Sequence, residues 1–272
     1  MEKLYVKAGE ATLEVLAWGS GEALVMVPSS GRGATDFTAL AERLARDGFR
    51  PLAVSLRGIE GSTGPLKGLT LHTLAADVGR VVEDLVGGPA HILGHALGNT
   101  VVRCLAADRA DLVRSVVLVA AGGLVPPEAG VGPPFQRCFQ LDLPAAQRVQ
   151  AVREAFFASG NDASVWLGGW WPEAHHAHGV ALRATPREDW WEAGTAPLLA
   201  IQGLEDRLAP PANGHALRLA AGDRVQVVDL PKAGHALLPE QPEAIAALVV
   251  AFLKRQSPKG GSPPRGKPTG GR

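Results

Sequence analysis

Gly94-His95-Ala96-Leu97-Gly98 joins a short apolar run, residues 89–93, to a segment with helical spacing, residues 99–107. Two glycines on either side of one apex residue permit a sharp strand-to-helix turn, which lifts the apex side chain above the end of a sheet. The apex here is Ala96. A methyl group can neither attack a carbonyl nor be activated by a base. The stretch argues for a fold and against a serine-type reaction.

Outward from this turn, strand and helix patterns alternate. Residues 11–17 alternate apolar and polar side chains as an edge hairpin strand does, and residues 23–27 form a continuous apolar run. Residues 36–46 carry Phe37, Leu40 and Leu44 at helical intervals, 52–55 read as a strand, and 70–86 as a longer helix. After the elbow, 115–120 is another buried strand. The alternation then stops. Residues 122–195 are rich in Pro, Gly and Trp, with one clear amphipathic helix over 145–157. It resumes with strands at 197–202 and 225–230 and helices at 213–220 and 242–254. Such alternation implies a mostly parallel sheet covered by helices on both faces. The irregular stretch reads as a helical cap inserted after the strand at 115–120.

The 272 residues are 46% hydrophobic, enough for one large α/β domain. Lysine and arginine match aspartate and glutamate at 27 each, but residues 256–272 hold Lys259, Arg265, Lys267 and Arg272 and no acid. That segment reads as a disordered basic tail, and the rest of the chain carries the matching excess of acid. An acidic domain does not point to nucleic acid. Cys104 and Cys138 form neither a disulfide framework nor metal-ligand spacing. No signal-peptide core and no membrane-length apolar run is present, so a cytoplasmic protein with no membrane partner is expected.

Five stretches, in order, carry a family resemblance. They are Val25-Met-Val-Pro-Ser-Ser-Gly-Arg-Gly33, Leu56-Arg-Gly-Ile-Glu-Gly-Ser62, the elbow, Gln202-Gly-Leu-Glu-Asp-Arg-Leu-Ala-Pro210, and Ala233-Gly-His235. Residues 11–255 resemble the α/β-hydrolase superfamily, with alanine in place of the elbow serine. The resemblance implies a core of residues 1–121 and 196–255 beneath a cap of about 122–195. It also implies an Asp206–His235 pair as acid and base of a former triad, with Glu205 the neighbouring alternative acid. The backbone amides of Ser30 and Leu97 are the implied oxyanion donors. Pro28-Ser29 stands where the family commonly has His-Gly, a second departure that favours divergence over a single engineered Ser-to-Ala change.

Other residues stay open to two readings. Ser29 and Ser30 are substitute nucleophiles, hydrogen-bond donors or turn residues. Arg32 and Arg57 either hold an anionic part of a substrate or tie loops together. Trp166, Trp170 and Trp171, with Trp190, Trp191 and several phenylalanines, either line an apolar cavity or pack the cap. His95 is expected to pack. His175, His176 and His178 read as a solvated His-rich turn rather than a metal site. The expected function is base catalysis by His235 and Asp206 on a small, largely apolar carbonyl compound, with no metal and no cofactor. A non-catalytic ligand-binding protein and a serine hydrolase disabled at position 96 are the alternatives.

Overall fold

Among the described residues, eight strands hydrogen-bond into one sheet in the order β1-β2-β4-β3-β5-β6-β7-β8. They are β1 (Glu2–Ala8), β2 (Ala11–Ala17), β3 (Glu22–Val27), β4 (Phe49–Val54), β5 (Ala90–His95), β6 (Val113–Val119), β7 (Leu198–Gly203) and β8 (Val225–Leu230). The computed structural model describes residues 1–257. β1 and β2, and β2 and β4, run antiparallel, while the remaining neighbours are parallel. Among the described residues the eight α-helices are α1 (Thr38–Arg46), α2 (Leu71–Leu85), α3 (Leu97–Asp108), α4 (Gly132–Arg137), α5 (Ala145–Phe156), α6 (Pro172–Ala184), α7 (Ala212–Ala221) and α8 (Pro242–Gln256).

Strand alternation divides the core. Val25 and Val27 of β3 face a cluster built with Leu74 and Val78 of α2 and Val101 and Leu105 of α3. Their neighbours Leu24 and Met26 face the opposite cluster, with Leu40 and Leu44 of α1 and Val249 and Phe252 of α8. The central parallel strands are thus apolar on both faces, which accounts for their hydrophobic runs, whereas β8 at the far edge carries Gln226 and Asp229 and is mostly half-buried. At the start of α2, Thr70 accepts from the Thr73 amide with its side chain and caps the helix.

Three expectations need correcting. The sheet edge is β1, not residues 11–17. β1 pairs with β2 from Glu2↔Ala17 to Ala8↔Ala11, with Val6 and Ala8 buried and Lys3, Tyr5 and Lys7 exposed. Lysines on the outer face blunt the edge. Of the tail expected over residues 256–272, Gln256 is the last residue of α8, and residues 258–272 lie outside the described residues. The stretch between β6 and β7 is also more helical than its composition indicates. It holds α4, α5 and α6, and a small core of its own in which Cys138, Val152, Phe156 and Trp166 pack together.

No helix among the described residues is long and apolar enough to cross a membrane. Parallel strands direct their carboxyl ends to one edge, and the loops after β3, β5, β7 and β8 meet there.

Candidate active site

The elbow forms as its glycines require. Ala96 has φ 50° and ψ −113°, a conformation costly for a residue with a Cβ. Its amide bonds the Val119 carbonyl at 2.9 Å, and its carbonyl accepts from the Asn99 amide at 3.0 Å. A Cβ on Gly98 would fall 2.1 Å from the Val27 carbonyl oxygen, and one on Gly94 would fall 2.4 Å from the Asn99 nitrogen. Only glycine allows α3 to start so close to β3 and β5. The turn that elsewhere presents a nucleophile is therefore complete, and it presents a methyl group to a cavity of about 450 Å³.

Asp206 and His235 meet at that cavity's edge. His235 Nδ1 lies 2.9 Å from Asp206 Oδ2 and 3.1 Å from Oδ1. Asp206 Oδ1 also accepts from the amides of Leu208 and Ala209, at 2.9 and 2.8 Å, so the carboxylate is fixed by backbone as well as by imidazole. The acid is almost wholly buried; His235 is 7% exposed and lines the cavity. Bonding at Nδ1 fixes the tautomer with the proton there and leaves Nε2 as the open nitrogen. Glu205, the alternative acid, accepts instead from the Ser159 amide at 3.2 Å.

The two loops that carry the pair are packed main chain to main chain. A Cβ on Gly203 would lie 2.4 Å from the Gly234 carbonyl oxygen, and the Glu205 amide donates to the Ala233 carbonyl at 2.9 Å. Glu240 gathers the far side. Its carboxylate accepts from the amides of Gly234 and Leu237 at 2.9 Å each, and from that of Ala158 at 2.7 Å. Sequence reading missed Glu240. The one available signal was an acid five residues after a loop histidine, which is too common to single out.

His95, the residue before the apex, packs as expected. Fully buried, it donates from Nε2 to the His235 carbonyl at 2.8 Å, and burial with the neighbouring His235 pushes its pKa down to about 3.

Ser29, Ser30, Ala96 and Leu97 all line the cavity. Leu97 opens α3, where a helix leaves its first amides unbonded. Among the described residues, neither the Leu97 nor the Ser30 amide donates a hydrogen bond. Ser30 Oγ is 2.8 Å from His175 Nδ1. This contact overturns the solvated-turn reading of residues 175–178. They belong to α6, where His175 faces the cavity, His178 is fully buried, and only His176 is exposed. The periodicity was hidden because alanine and histidine, rather than large apolar residues, occupy the inner face.

Several candidate binding residues serve the scaffold instead. Arg32 is buried, bonds Asp36 from Nε at 2.8 Å and the Gly168 carbonyl from Nη1 at 2.7 Å, and lies over the rings of Trp166 and Trp170. Arg57 forms a two-point bond to Asp77, at 2.6 and 2.9 Å. Neither arginine lines the cavity, nor do Trp166, Trp170 and Trp171. The aromatic wall is Trp190 and Phe135, joined by Leu182 and Leu208. Both cysteines are free and buried, and burial drives the Cys138 thiol up to about 12. His72, Cys104 and Asp108 bring metal-type donors together on α2 and α3, away from the cavity lining.

This arrangement has counterparts. Residues 24–248 match the alpha/beta hydrolase family. A 2-(acetamidomethylene)succinate hydrolase of Mesorhizobium japonicum is 34% identical over 114 residues, 42% of this chain and 41% of that protein. The AB hydrolase superfamily protein YisY of Bacillus subtilis is 25% identical over 266 residues, 91% of this chain and 98% of that protein. The crystal structure of a hydrolase from Pseudomonas aeruginosa PA01 superposes with a TM-score of 0.76 at 22% identity, covering 92% of this chain and 98% of that one. With the sheet, the elbow and this extended match together, the chain belongs to the alpha/beta hydrolase family.

Proposed function

We propose that this hydrolase-family protein is a cofactor-independent enzyme in which His235, oriented by Asp206, acts as general base on a small, largely apolar carbonyl compound. The observation that carries the reading is the bonded Asp206–His235 pair at the edge of an open cavity whose elbow apex is a methyl group. Nε2 takes a proton from a water molecule or from a carbon or oxygen of the substrate. The Asp206 carboxylate stabilises the imidazolium that results. The Ser30 and Leu97 amides receive the negative charge that grows on the carbonyl oxygen. No acyl-enzyme forms, because Ala96 has no atom to acylate. Positioned base catalysis of this kind contributes about 10²–10⁴-fold.

A ligand-binding protein without turnover is the second reading, favoured by the same methyl group. It has no use for an oriented base. A panel of esters, lactones, epoxides and β-diketones, run on the native protein and on His235→Ala and Asp206→Asn, separates the two. Turnover lost in His235→Ala and reduced in Asp206→Asn, with ligand affinity retained, supports base catalysis. Equal rates in all three proteins remove the pair from the mechanism, and no turnover on any compound favours the binding protein.

A further inference from the structure

Arg103 lies under the wall of the cavity with its side chain fully buried. Its guanidinium donates to Asn99 Oδ1, to the carbonyl of Asn99 at 3.3 Å, to that of Gly122 at 2.6 Å and to that of Trp191 at 3.4 Å, and it stacks on the Trp190 ring, 4.6 Å from the centroid. Every one of these partners is neutral. Burial lowers its pKa to about 9, which still leaves the group charged at neutral pH. Gly122, Trp190 and the nearby Thr100 all line the cavity, so an uncompensated cation sits one layer behind its surface.

Two further arginines lie by the same cavity. Arg187 is exposed and lines the cavity rim directly. Arg183 is exposed on α6, its Nη1 3.3 Å from where a Cβ on Gly179 would sit, and Gly179 is part of the wall. Among the described residues neither pairs with a carboxylate, whereas Arg32 and Arg57 are both paired. Two acids of the same segment have partners elsewhere, Asp189 bonding His72 at 3.2 Å and Glu192 lying by Arg224, while Glu188 is exposed and outside the cavity lining. No aspartate or glutamate lines the cavity, and Asp206 is spent on His235 and two amides.

A buried charge without a counter-ion is costly unless something completes it. Three cations around a largely apolar cavity, with no anion in its lining, focus a positive potential into it. We infer that the substrate is a carbonyl compound bearing a carboxylate, which docks on Arg187 at the rim, within the field of Arg103 and Arg183, while its apolar body lies against Trp190 and Leu182. This deepens the base-catalysis reading by naming the substrate's class, but binding alone tests it, so it stands or falls apart from turnover.

The test is calorimetric titration of a matched set of 4-oxo acids, with methyl, butyl or phenyl on the ketone, against their primary carboxamides. At least one acid is expected to bind about 10-fold more tightly than its amide, the margin of one charge-assisted contact in a partly desolvated site. Arg187→Gln should bring the pair to within about two-fold, while Arg187→Lys keeps most of the preference, and 0.5 M NaCl should shrink it. Arg187 is exposed, so these variants fold. Acids that bind no better than amides, that fail to bind at millimolar concentration, or whose preference survives Arg187→Gln would overturn the inference. Selective acid binding without turnover would uphold it and count against base catalysis alone.

Discussion

Ser30 Oγ bonds Nδ1 of His175 at 2.8 Å, fastening the loop after β3 to α6 across 145 residues of chain. Burial and neighbouring cations push His175 down to about 4, so at neutral pH its ring is uncharged and is a weak base. A serine bonded to such a base is not an activated nucleophile. Fluorophosphonate probes should leave Ser30 unlabelled in the native protein, as peptide mass spectrometry would report; an adduct there would make Ser30 the missing nucleophile. Ala96→Ser, by contrast, should become labelled at position 96, because the elbow backbone and the Asp206–His235 pair already stand in place.

The backbone at position 96 also predicts a stability change. A non-glycine residue at φ 50° and ψ −113° stores about 1–3 kcal/mol. Glycine relieves that strain but gives back about 0.4–1 kcal/mol through the unfolded chain. Ala96→Gly should therefore stabilise the protein by about 1 kcal/mol in urea denaturation. A destabilised variant would mean that the methyl group's packing outweighs the strain.

Arg32 is predicted to matter for folding and not for ligand. Its removal leaves Asp36 buried without its counter-charge and uncovers the faces of Trp166 and Trp170. Breaking one side of a buried pair costs about 3–5 kcal/mol. Arg32→Gln should lose stability on that scale in urea, while its folded fraction binds cavity ligands as the native protein does. A variant of native stability would return Arg32 to the list of binding residues.

Four histidines set the response to acid. Burial holds His95 and His178 down at about 3, and His91 and His175 at about 4, against an ordinary 6.5. Above pH 6.5 the rings are neutral in both folded and unfolded chains and stability does not depend on them. Below it the unfolded chain takes up protons that the native fold refuses, so stability falls as pH drops from 6.5 toward 4. Each ring contributes about 1.4 kcal/mol per pH unit over that window. The buried carboxyls of Asp36 and Asp77, raised by desolvation, and His72, raised by its bond to Asp108, oppose this. The urea midpoint should be clearly lower at pH 5 than at pH 7. His178, with neither ring nitrogen bonded, is the place to cut the slope: His178→Leu should remove about one proton of it. Equal midpoints at both pH values would refute the assignment.

The sheet was legible because it rests on local chemistry, and the Asp206–His235 pairing because five stretches in order resemble a known family. Continuous apolar runs marked buried parallel strands, and the glycines at 94 and 98 marked the sharp turn between strand and helix. Contacts that depend on how the 122–195 stretch folds back were not. Arg32 looks the same in sequence whether it faces a substrate or two tryptophans, and α6 hid its buried face because Ala174, Ala177 and Ala181 give almost no hydrophobic contrast. Strand β1 was passed over because the alternation of Leu4, Val6 and Ala8 with exposed lysines is short and weak.

The backbone contact of Gly203 with Gly234 has one last implication, for descent. The acid and base loops are clasped by main-chain atoms and by Glu240, while the apex is held by Gly94 and Gly98; His95 reaches from the elbow to the His235 carbonyl, but the side chain at position 96 takes no part in either clasp. A lineage can exchange what stands at position 96 without disturbing the distance between carboxylate and imidazole. In a chassis built this way the residue at position 96 and the Asp206–His235 pair can vary independently of one another, and here an alanine stands at the one while the other is bonded.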